Sequence, residues 1–129
     1  MSARFAGYAA LFGTIDRGGD VVEQGAFAHT LSRRAEIPLL WQHDPRRRIG
    51  HVELAEEDRR GLRVIGRLSG AAGEAARLLF AGAVTGLSFG YRVRVTEGSR
   101  PRRLIDLDLV EISLVTFPMQ PGARVHLIH

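Results

Sequence analysis

The sequence predicts a mainly β (α+β) fold, in which a small closed or nearly closed β-barrel is flanked by short helices. Three observations support this prediction. Several short segments are apolar or alternate between apolar and polar residues, which is the period of a β-strand. Turn signals rich in Gly, Pro and Asp separate these segments, and two stretches alone have helical spacing. No linker or internal repeat interrupts the chain, so residues 1–129 are expected to form one domain.

Each element is predicted from its own residue pattern. Apolar or alternating segments predict strands at residues 5–12, 39–41, 49–53, 62–68, 87–95 and 104–117. Apolar residues at helical spacing predict one or two helical turns within residues 25–34 and the main helix at residues 71–84. The strand at residues 104–117 is apolar on both faces near its end, which is typical of a central strand covered on both sides.

Composition excludes several classes of protein and site. The chain contains no cysteine, so disulfides, thiolate zinc sites and cysteine nucleophiles are excluded. No stretch approaches the roughly 20 apolar residues of a membrane helix. The N-terminus also lacks the apolar core of a secretory signal. We therefore expect a soluble, unexported protein with no membrane partner.

The basic charge of the chain is a weak signal for nucleic-acid binding. The formal net charge is +4, and all 18 Lys+Arg residues are Arg, which indicates coding bias more than cations selected at chosen places. Residues 46–48 and 100–103 are therefore expected to be solvated loop charges, with no specific nucleic-acid partner. A nucleic-acid-binding barrel also needs exposed aromatic residues on a strand face, whereas Phe89 and Tyr91 fall on the apolar face of their strand.

His43 is the first of three residues that break the local pattern. It follows an apolar run and precedes a Pro turn, so it is expected at the mouth of a strand. An imidazole in that place suits a general base near neutral pH. The alternative is a loop histidine bonded to Asp44 or to the backbone.

Ser88 is the second such residue. It lies on the polar face of a strand whose other face is apolar, and Gly90 follows on the same face. Glycine weakens a strand interior unless something approaches closely. That neighbour is either a substrate carbonyl or peptide, with Ser88 as the nucleophile, or a helix packed over both small residues.

Glu111 is the third, and it stands within a strongly apolar strand. Burial of an unpaired charge is costly, so this carboxyl is expected to find a partner or become neutral. Because the chain has no Lys, the partner is either an Arg or a histidine. With a histidine, Glu111 would orient the imidazole, as the acid does in a Ser-His-acid arrangement.

Ser88, His43 and Glu111 together supply the three parts that nucleophilic catalysis by serine needs. The residues alone leave other assignments open. Ser113 is a rival nucleophile, ranked below Ser88 because it lies deeper in an apolar strand. A metal site at His43, Asp44 and His51 has weak spacing. The remaining candidates, His126 and His129, are expected to be tail residues.

Five segments of the sequence resemble motifs of the tailed-phage prohead (capsid maturation) serine proteases. In chain order they are FAGYAALFG at residues 5–13, DRGGDVVEQGAF at residues 16–27, LLWQHD at residues 39–44, GLSFGY at residues 86–91 and LVEISLVTFP at residues 109–118. The order is that of the family, and the resemblance runs from about residue 5 to residue 124. The family is similar in fold to herpesvirus assemblin, a β-barrel serine protease wrapped by helices.

The resemblance implies a serine endopeptidase that cleaves the scaffolding part of the major capsid protein during prohead maturation, by acyl transfer through Ser88, His43 and Glu111. In assemblin the third catalytic residue is a second histidine, and Glu111 stands at the corresponding place here. The resemblance further implies action inside the immature capsid in the bacterial host cytoplasm. The major capsid protein or a scaffold would be the protein substrate, no cofactor or metal is expected, and a homodimer follows by analogy with assemblin.

Many relatives carry an extension beyond the barrel that acts in assembly or is trimmed, whereas this sequence stops at His129. The chain is therefore expected to be a minimal version, a gene-transfer-agent type, or a protease that relies on a separate scaffold. The main rival is a non-catalytic capsid assembly or scaffolding factor on the same fold. Another is a metal hydrolase that uses His43 and His51.

Overall fold

The computed structural model of the chain describes residues 3–129, apart from the side chain of Ala71. Met1 and Ser2 lie outside the described residues, although they belong to the expected domain of residues 1–129 and to the N-terminus searched for a signal. Within the described part of the chain, no helix is both long enough and apolar enough to cross a membrane.

The described residues form eight strands and two α-helices. The strands are β1 (Arg4–Leu11), β2 (Asp20–Val22), β3 (Pro38–Trp41), β4 (Asp44–Glu57), β5 (Gly61–Leu68), β6 (Gly86–Glu97), β7 (Arg102–Val115) and β8 (Val125–Ile128). The helices are α1 (Ala28–Ser32) and α2 (Gly73–Phe80), and a 3₁₀ turn at Gly70–Ala72 precedes α2. The prediction of a mainly β protein with short helices is confirmed.

The strands form one mixed sheet in the order β2-β7-β3-β4-β5-β1-β8, and β6 also pairs with β7. Strand β7 has β6 antiparallel along one edge, while the short parallel strands β2 and β3 share its other edge. All five residues from Glu111 to Val115 are buried. Strand β7 is thus the central, doubly covered strand that its apolar pattern predicted.

The sheet is not closed by a continuous ladder of hydrogen bonds. The first residue of β6 approaches the segment just before β8, where Gly86 forms an isolated bridge with Arg124. The backbone N–H groups of Leu87 and Val125 donate to the carbonyls of Ala123 and Thr85, each at 2.8 Å. Because the pairing stops there, the expected barrel is matched only loosely.

The core draws on strands and helices alike. The largest fully buried side chains are Phe5, Phe27, Leu39, Leu62, Leu79, Leu87, Leu104, Leu107, Ile112, Leu114, Val22 and Val64. Each such aliphatic or aromatic side chain adds about 1.5–3 kcal/mol relative to exposure, before the cost of ordering the chain. The core therefore holds β7 rigidly against its neighbouring strands, which matters because β7 carries Glu111.

Several predicted elements differ in length from those observed. The helix predicted at residues 71–84 ends at Phe80, because the chain turns at Gly82 in a left-handed conformation with φ of 73°. The loop predicted at residues 42–45 is shorter, since β4 already begins at Asp44. Strands β2 and β8 were not predicted. They have three and four residues, too few to show a period.

The expectation of solvated loop arginines was wrong about where they lie. Residues 46–48 belong to β4, and Arg102 and Arg103 belong to β7. Arg102 makes a bidentate pair with Asp20 through contacts of 3.0 and 2.8 Å, and Arg103 pairs with Glu23 at 2.8 Å. These pairs tie β2 to β7 at their common end, so the charges have a local structural role.

The expected tail histidines also lie in or beside the sheet. His126 belongs to β8, and its ring packs edge-on against Tyr8 with centroids 6.1 Å apart. The backbone N–H of His129 donates to the carbonyl of Arg4 at 2.8 Å. The end of the chain is therefore paired with β1.

Candidate active site

His43 lies in a tight turn between β3 and β4. Trp41 and Asp44 pair across the hairpin, and the two residues between them, Gln42 and His43, have φ of 52° and 61°. Two left-handed central residues define a type I′ turn, which normally contains Asn or Gly. A left-handed conformation costs an ordinary residue about 1–2 kcal/mol, so this turn needs support from its surroundings.

That support comes from the end of β7. The backbone N–H of Gln42 donates to the carbonyl of Leu114 at 2.9 Å. The side-chain amide of Gln42 donates to the Thr116 hydroxyl at 2.7 Å and accepts from the Thr116 backbone N–H at 3.1 Å. The backbone N–H of His43 donates to the Ser113 hydroxyl at 3.1 Å. These four bonds fix the turn against the strand that carries Glu111.

Glu111 is buried with histidine as its partner. Its side chain is 10% exposed, and Oε1 lies 2.5 Å from Nδ1 of His43. Its other oxygen, Oε2, accepts a hydrogen bond from the Ser113 hydroxyl at 2.7 Å. Because a carboxylate only accepts, the hydrogen of this bond lies on Nδ1 of His43, and in the neutral imidazole Nε2 is then the acceptor. Of the two partners that the sequence left open, the structure has the histidine.

Asp44 faces away from this pair. Its carboxylate accepts from the backbone N–H of Arg46 at 2.9 Å and also contacts the Arg46 guanidinium. The Arg46 backbone N–H is the main cause of a lowered pKa for Asp44. The alternative in which the His43 ring bonds Asp44 is therefore wrong.

Gly90 lies directly opposite Glu111 across β6 and β7. A Cβ at Gly90 would stand 2.3 Å from Oε1 of Glu111. The close neighbour expected at this glycine is therefore the Glu111 carboxylate, and neither a substrate nor a helix is needed to explain it.

The next pair in the register is Tyr91 with Leu109, which leaves Val110 as an extra residue of β7. Such a β-bulge re-aims neighbouring side chains.

Ser88 lies on β6 as the cross-strand partner of Ser113. Ser88 is 7% exposed, and its hydroxyl has no hydrogen bond with any described residue. No fully buried side-chain nitrogen or oxygen in the described residues lacks a partner, so this hydroxyl must reach an open surface. That surface is a cavity of about 90 Å³ whose wall also includes His43. The structure thus pairs His43 with Glu111 and places His43 and Ser88 on one cavity.

A second, wider cavity of about 520 Å³ lies beside the first. It is lined by His43 and Glu111 together with Gly90, Tyr91 and Arg92 of β6. His43 and Tyr91 line both cavities. Burial is the main cause of a raised pKa for Tyr91, so its hydroxyl stays protonated near neutral pH. His43 and Tyr91 therefore lie at the boundary between the two cavities.

The metal site weighed from the sequence is not assembled. In residues 3–129, no group of three His, Cys, Asp or Glu side chains is placed to hold a metal ion. His51 pairs with Pro38 on β3 and with Arg67 on β5, whereas the His43 ring contacts Glu111.

Sequence reasoning missed the residues that hold the site in place. Gln42 and Thr116 clamp the histidine turn, and Gln120, in the wall beside Ser88, bonds both backbone groups of Leu11 at 2.7 and 2.9 Å. A Gln next to a catalytic histidine candidate carries no pattern of its own. The two turn residues between β3 and β4 would have been the signal, since a Gln-His pair is unusual for a type I′ turn.

Comparisons with known proteins agree with the resemblance seen in the sequence. A family model described as Caudovirus prohead serine protease matches residues 1–129. The prohead protease of Enterobacteria phage HK97 is 31% identical over 131 residues, which cover 94% of this chain and 58% of that protein. A capsid polyprotein of Pseudomonas phage PAJU2 is 33% identical over 122 residues, which cover 85% of this chain and 18% of that protein. The chain thus spans less than two thirds of these relatives.

Solved structures with similar folds come from herpesviruses and from a phage. The KSHV protease, solved with a hexapeptide phosphonate inhibitor, has a TM-score of 0.67 at 13% identity, covering 100% of this chain and 65% of that one. The varicella-zoster virus protease also scores 0.67, at 16% identity, covering 98% and 64%. The bacteriophage T4 capsid assembly protease scores 0.67 at 13% identity, covering 87% and 80%.

These structures are too distant in sequence to transfer residue roles, and they establish the fold as that of the assemblin-like proteases. The family model covers the whole chain. By its sequence and its fold, the chain belongs to the caudovirus prohead serine protease family.

Proposed function

We propose that the chain is a serine endopeptidase of capsid maturation, in which Ser88 is the nucleophile, His43 the general base and Glu111 the residue that orients His43. The observation that carries the proposal is the 2.5 Å contact between Nδ1 of His43 and Glu111, beside a cavity that His43 shares with Ser88. The proposal treats residues 1–129 as one protease domain, which is the extent of the family match.

The geometry supports acyl transfer as follows. Ser88 Oγ attacks the carbonyl carbon of the scissile peptide bond while Nε2 of His43 takes its proton. Glu111 holds the proton on Nδ1 and stabilises the imidazolium that forms. His43 then gives its proton to the departing amine, and a water molecule activated in the same way hydrolyses the acyl-Ser88 ester. In the described residues Ser88 and His43 are not yet hydrogen-bonded to each other, and we expect substrate to bring them into contact.

The proposed substrate is the scaffolding part of the major capsid protein, cut inside the prohead in the host cell. Support comes from the names of two relatives, a capsid polyprotein and a prohead protease, and from the capsid assembly protease of phage T4 among the similar folds. A homodimer, proposed by analogy with assemblin, is tested by the sedimentation velocity of the purified chain.

Intact mass spectrometry of the major capsid protein tests the function directly. A major capsid protein from the same genome is co-expressed with the normal chain or with its Ser88→Ala variant. We expect the discrete loss of an N-terminal piece with the normal chain and none with Ser88→Ala. Uncut protein in both samples, once shells have formed, would favour the non-catalytic assembly factor. Equal cutting in both would exclude Ser88 as the nucleophile.

A further inference from the structure

Ser113 contacts both members of the His43–Glu111 pair. It is 0% exposed, and its hydroxyl donates to Oε2 of Glu111 at 2.7 Å. The same oxygen accepts from the backbone N–H of His43 at 3.1 Å. Ser113 is also the cross-strand neighbour of Ser88. One buried hydroxyl therefore links the acid, the main chain of the base and the strand that carries the nucleophile.

These contacts argue against Ser113 as the nucleophile itself. Its proton is directed at a carboxylate that is already bonded to the imidazole, and a lone pair of its oxygen is used by the His43 backbone. A side chain with no exposed surface also cannot meet a peptide carbonyl without movement of β7.

We propose that Ser113 is a positioning residue for the His43–Glu111 pair, an inference that rests on the proposed function. The bond to Oε1 alone leaves the Glu111 carboxylate free to rotate about its last side-chain torsion, since such terminal torsions are soft. Holding Oε2 fixes the plane of the carboxylate, as outer hydrogen bonds fix the ligands of a metal site. Holding the His43 N–H stabilises the left-handed conformation that aims the ring.

A purely structural role of Ser113 would have a different measurable effect. A buried hydroxyl that only satisfies neighbouring polar groups contributes to stability, and its loss lowers the melting temperature without a specific effect on turnover. Thr30 is a matched case. Its hydroxyl is also buried against β7, donating to the carbonyl of Leu107 at 3.4 Å and accepting from the N–H of Leu109 at 3.0 Å, and it has no hydrogen bond with His43 or Glu111.

Kinetics on a peptide spanning the mapped capsid junction form the first arm of the test. The variants are Ser113→Ala, which removes the hydroxyl, Ser113→Thr, which keeps it, and the control Thr30→Val. We expect Ser113→Ala to lower kcat by about 10- to 100-fold with KM nearly unchanged, because small misplacements of catalytic groups cost about that much. Ser113→Thr should recover most of the turnover. Thr30→Val should lose stability and keep its kcat.

Proton NMR of the imidazole N–H forms the second arm and needs no substrate. In the normal chain, a far-downfield signal from the Nδ1 hydrogen of His43 is expected and is identified by its loss in Glu111→Gln. In Ser113→Ala the signal should shift and exchange faster with water, while in Thr30→Val it should not move. If Ser113→Ala is too unstable for kinetics, Ser113→Cys, which keeps the volume with a much weaker donor, is measured in both arms.

The two proposals fail in distinguishable ways. If the normal chain does not cut, the protease function fails, and if Ser88→Ala still cuts, Ser88 is not the nucleophile. In either case the NMR arm still decides whether Ser113 orients the pair. If Ser88 is essential but Ser113→Ala keeps normal kcat and an unchanged imidazole signal, the positioning role is wrong. A loss of stability equal to that of Thr30→Val, with no other effect, would likewise reduce Ser113 to a structural hydroxyl.

Discussion

At the scale of single residues, the site consists of short contacts around the carboxylate of Glu111. Glu111 is surrounded by His43, Ser113 and Gly90, and each contacts or leaves room for one of its oxygens. Its buried charge is compensated by hydrogen bonds from a histidine and a serine instead of by an arginine. A partner that is half-exposed and free to bind a proton at its other nitrogen suits catalysis better than a permanent ion pair does.

The proposed triad predicts a ranking of losses. Ser88→Ala and His43→Ala should each lower turnover by about 10⁴–10⁶-fold, since the residual activity of such variants comes from binding and oxyanion stabilisation alone. Glu111→Gln keeps the shape of the acid and should cost less, about 10²–10⁴-fold. Single-turnover cleavage of the junction peptide measures all three. A Glu111→Gln chain with full activity would refute the orienting role.

Gly90 predicts a second effect at this scale. In Gly90→Ala the new methyl group would overlap Oε1 of Glu111, so the carboxylate or β6 must move. We expect a loss of about 1–3 kcal/mol in unfolding free energy, as for other overpacked sites, together with a fall in kcat. Gly70→Ala is the control, because a Cβ there meets nothing within 4 Å. Both variants are compared by urea unfolding and peptide cleavage. Equal stability and equal activity of Gly90→Ala and Gly70→Ala would contradict the predicted overlap with Glu111.

At the scale of elements, the important feature is a hairpin turn docked onto the end of a central strand. The turn between β3 and β4 carries the histidine in a strained conformation, and its hydrogen-bond partners described above lie in β7 or, for Thr116, directly after it. Strand β7 also bears Glu111 and pairs with the strand that bears Ser88. The site is thereby built on rigid elements, which holds catalytic groups more accurately than a free loop does.

This element predicts an unusual order of stability at Gln42. Gln42→Ala loses the clamp to Thr116 and keeps a Cβ in a left-handed conformation, whereas Gln42→Gly loses the same clamp but relieves the strain. Gln42→Gly should therefore be more stable than Gln42→Ala by about 1 kcal/mol, the reverse of the order expected in an ordinary strand or helix. Chemical denaturation measures the difference. An Ala variant at least as stable as the Gly variant would argue against the left-handed turn.

At the scale of the whole molecule, a polar contact links strand β1 to the connection between β4 and β5. Asp58, in the connection between β4 and β5, accepts from the Tyr8 hydroxyl of β1 at 2.5 Å. It also accepts from the backbone N–H groups of Arg60 and Gly61 at 2.8 and 3.1 Å. The Tyr8 hydroxyl is the main cause of a lowered pKa for Asp58, and Asp58 in turn raises the pKa of Tyr8.

These shifts predict how folding stability depends on pH. Because the pKa of Asp58 is lowered on folding, its contribution is present above the unfolded value, near pH 4, and is lost as the pH falls through the lower folded value. Thermal unfolding between about pH 2 and pH 6 should therefore show a shallower acid dependence in Asp58→Asn than in the normal chain. Tyr8→Phe should reduce the acid dependence of thermal unfolding only in part, because the backbone hydrogen bonds to Asp58 remain. Unchanged slopes in both variants would show that the contact is not maintained in solution.

The sequence by itself determined the mainly β class, most of the long strands and the family, because alternation and local motifs are recorded residue by residue. It also singled out His43 from its place between an apolar run and a Pro turn, Ser88 from its place beside Gly90 on the polar face of a strand, and Glu111 as a charge within an apolar strand. It misplaced the end of the main helix and missed β2 and β8, where short segments are fixed by their neighbours and not by their own period.

Only the tertiary structure decided which partner Glu111 has, why residue 90 is a glycine and that Ser113 and Gln42 support the histidine. Each of these depends on contacts between residues far apart in the chain, such as His43 with Glu111 and Gln42 with Thr116, 68 and 74 positions apart. Such contacts are set by the register of β6 and β3 against β7 and by the bulge at Val110. A shift of register by one residue would turn Glu111 to the other face of the sheet, and no local pattern in the sequence specifies that register.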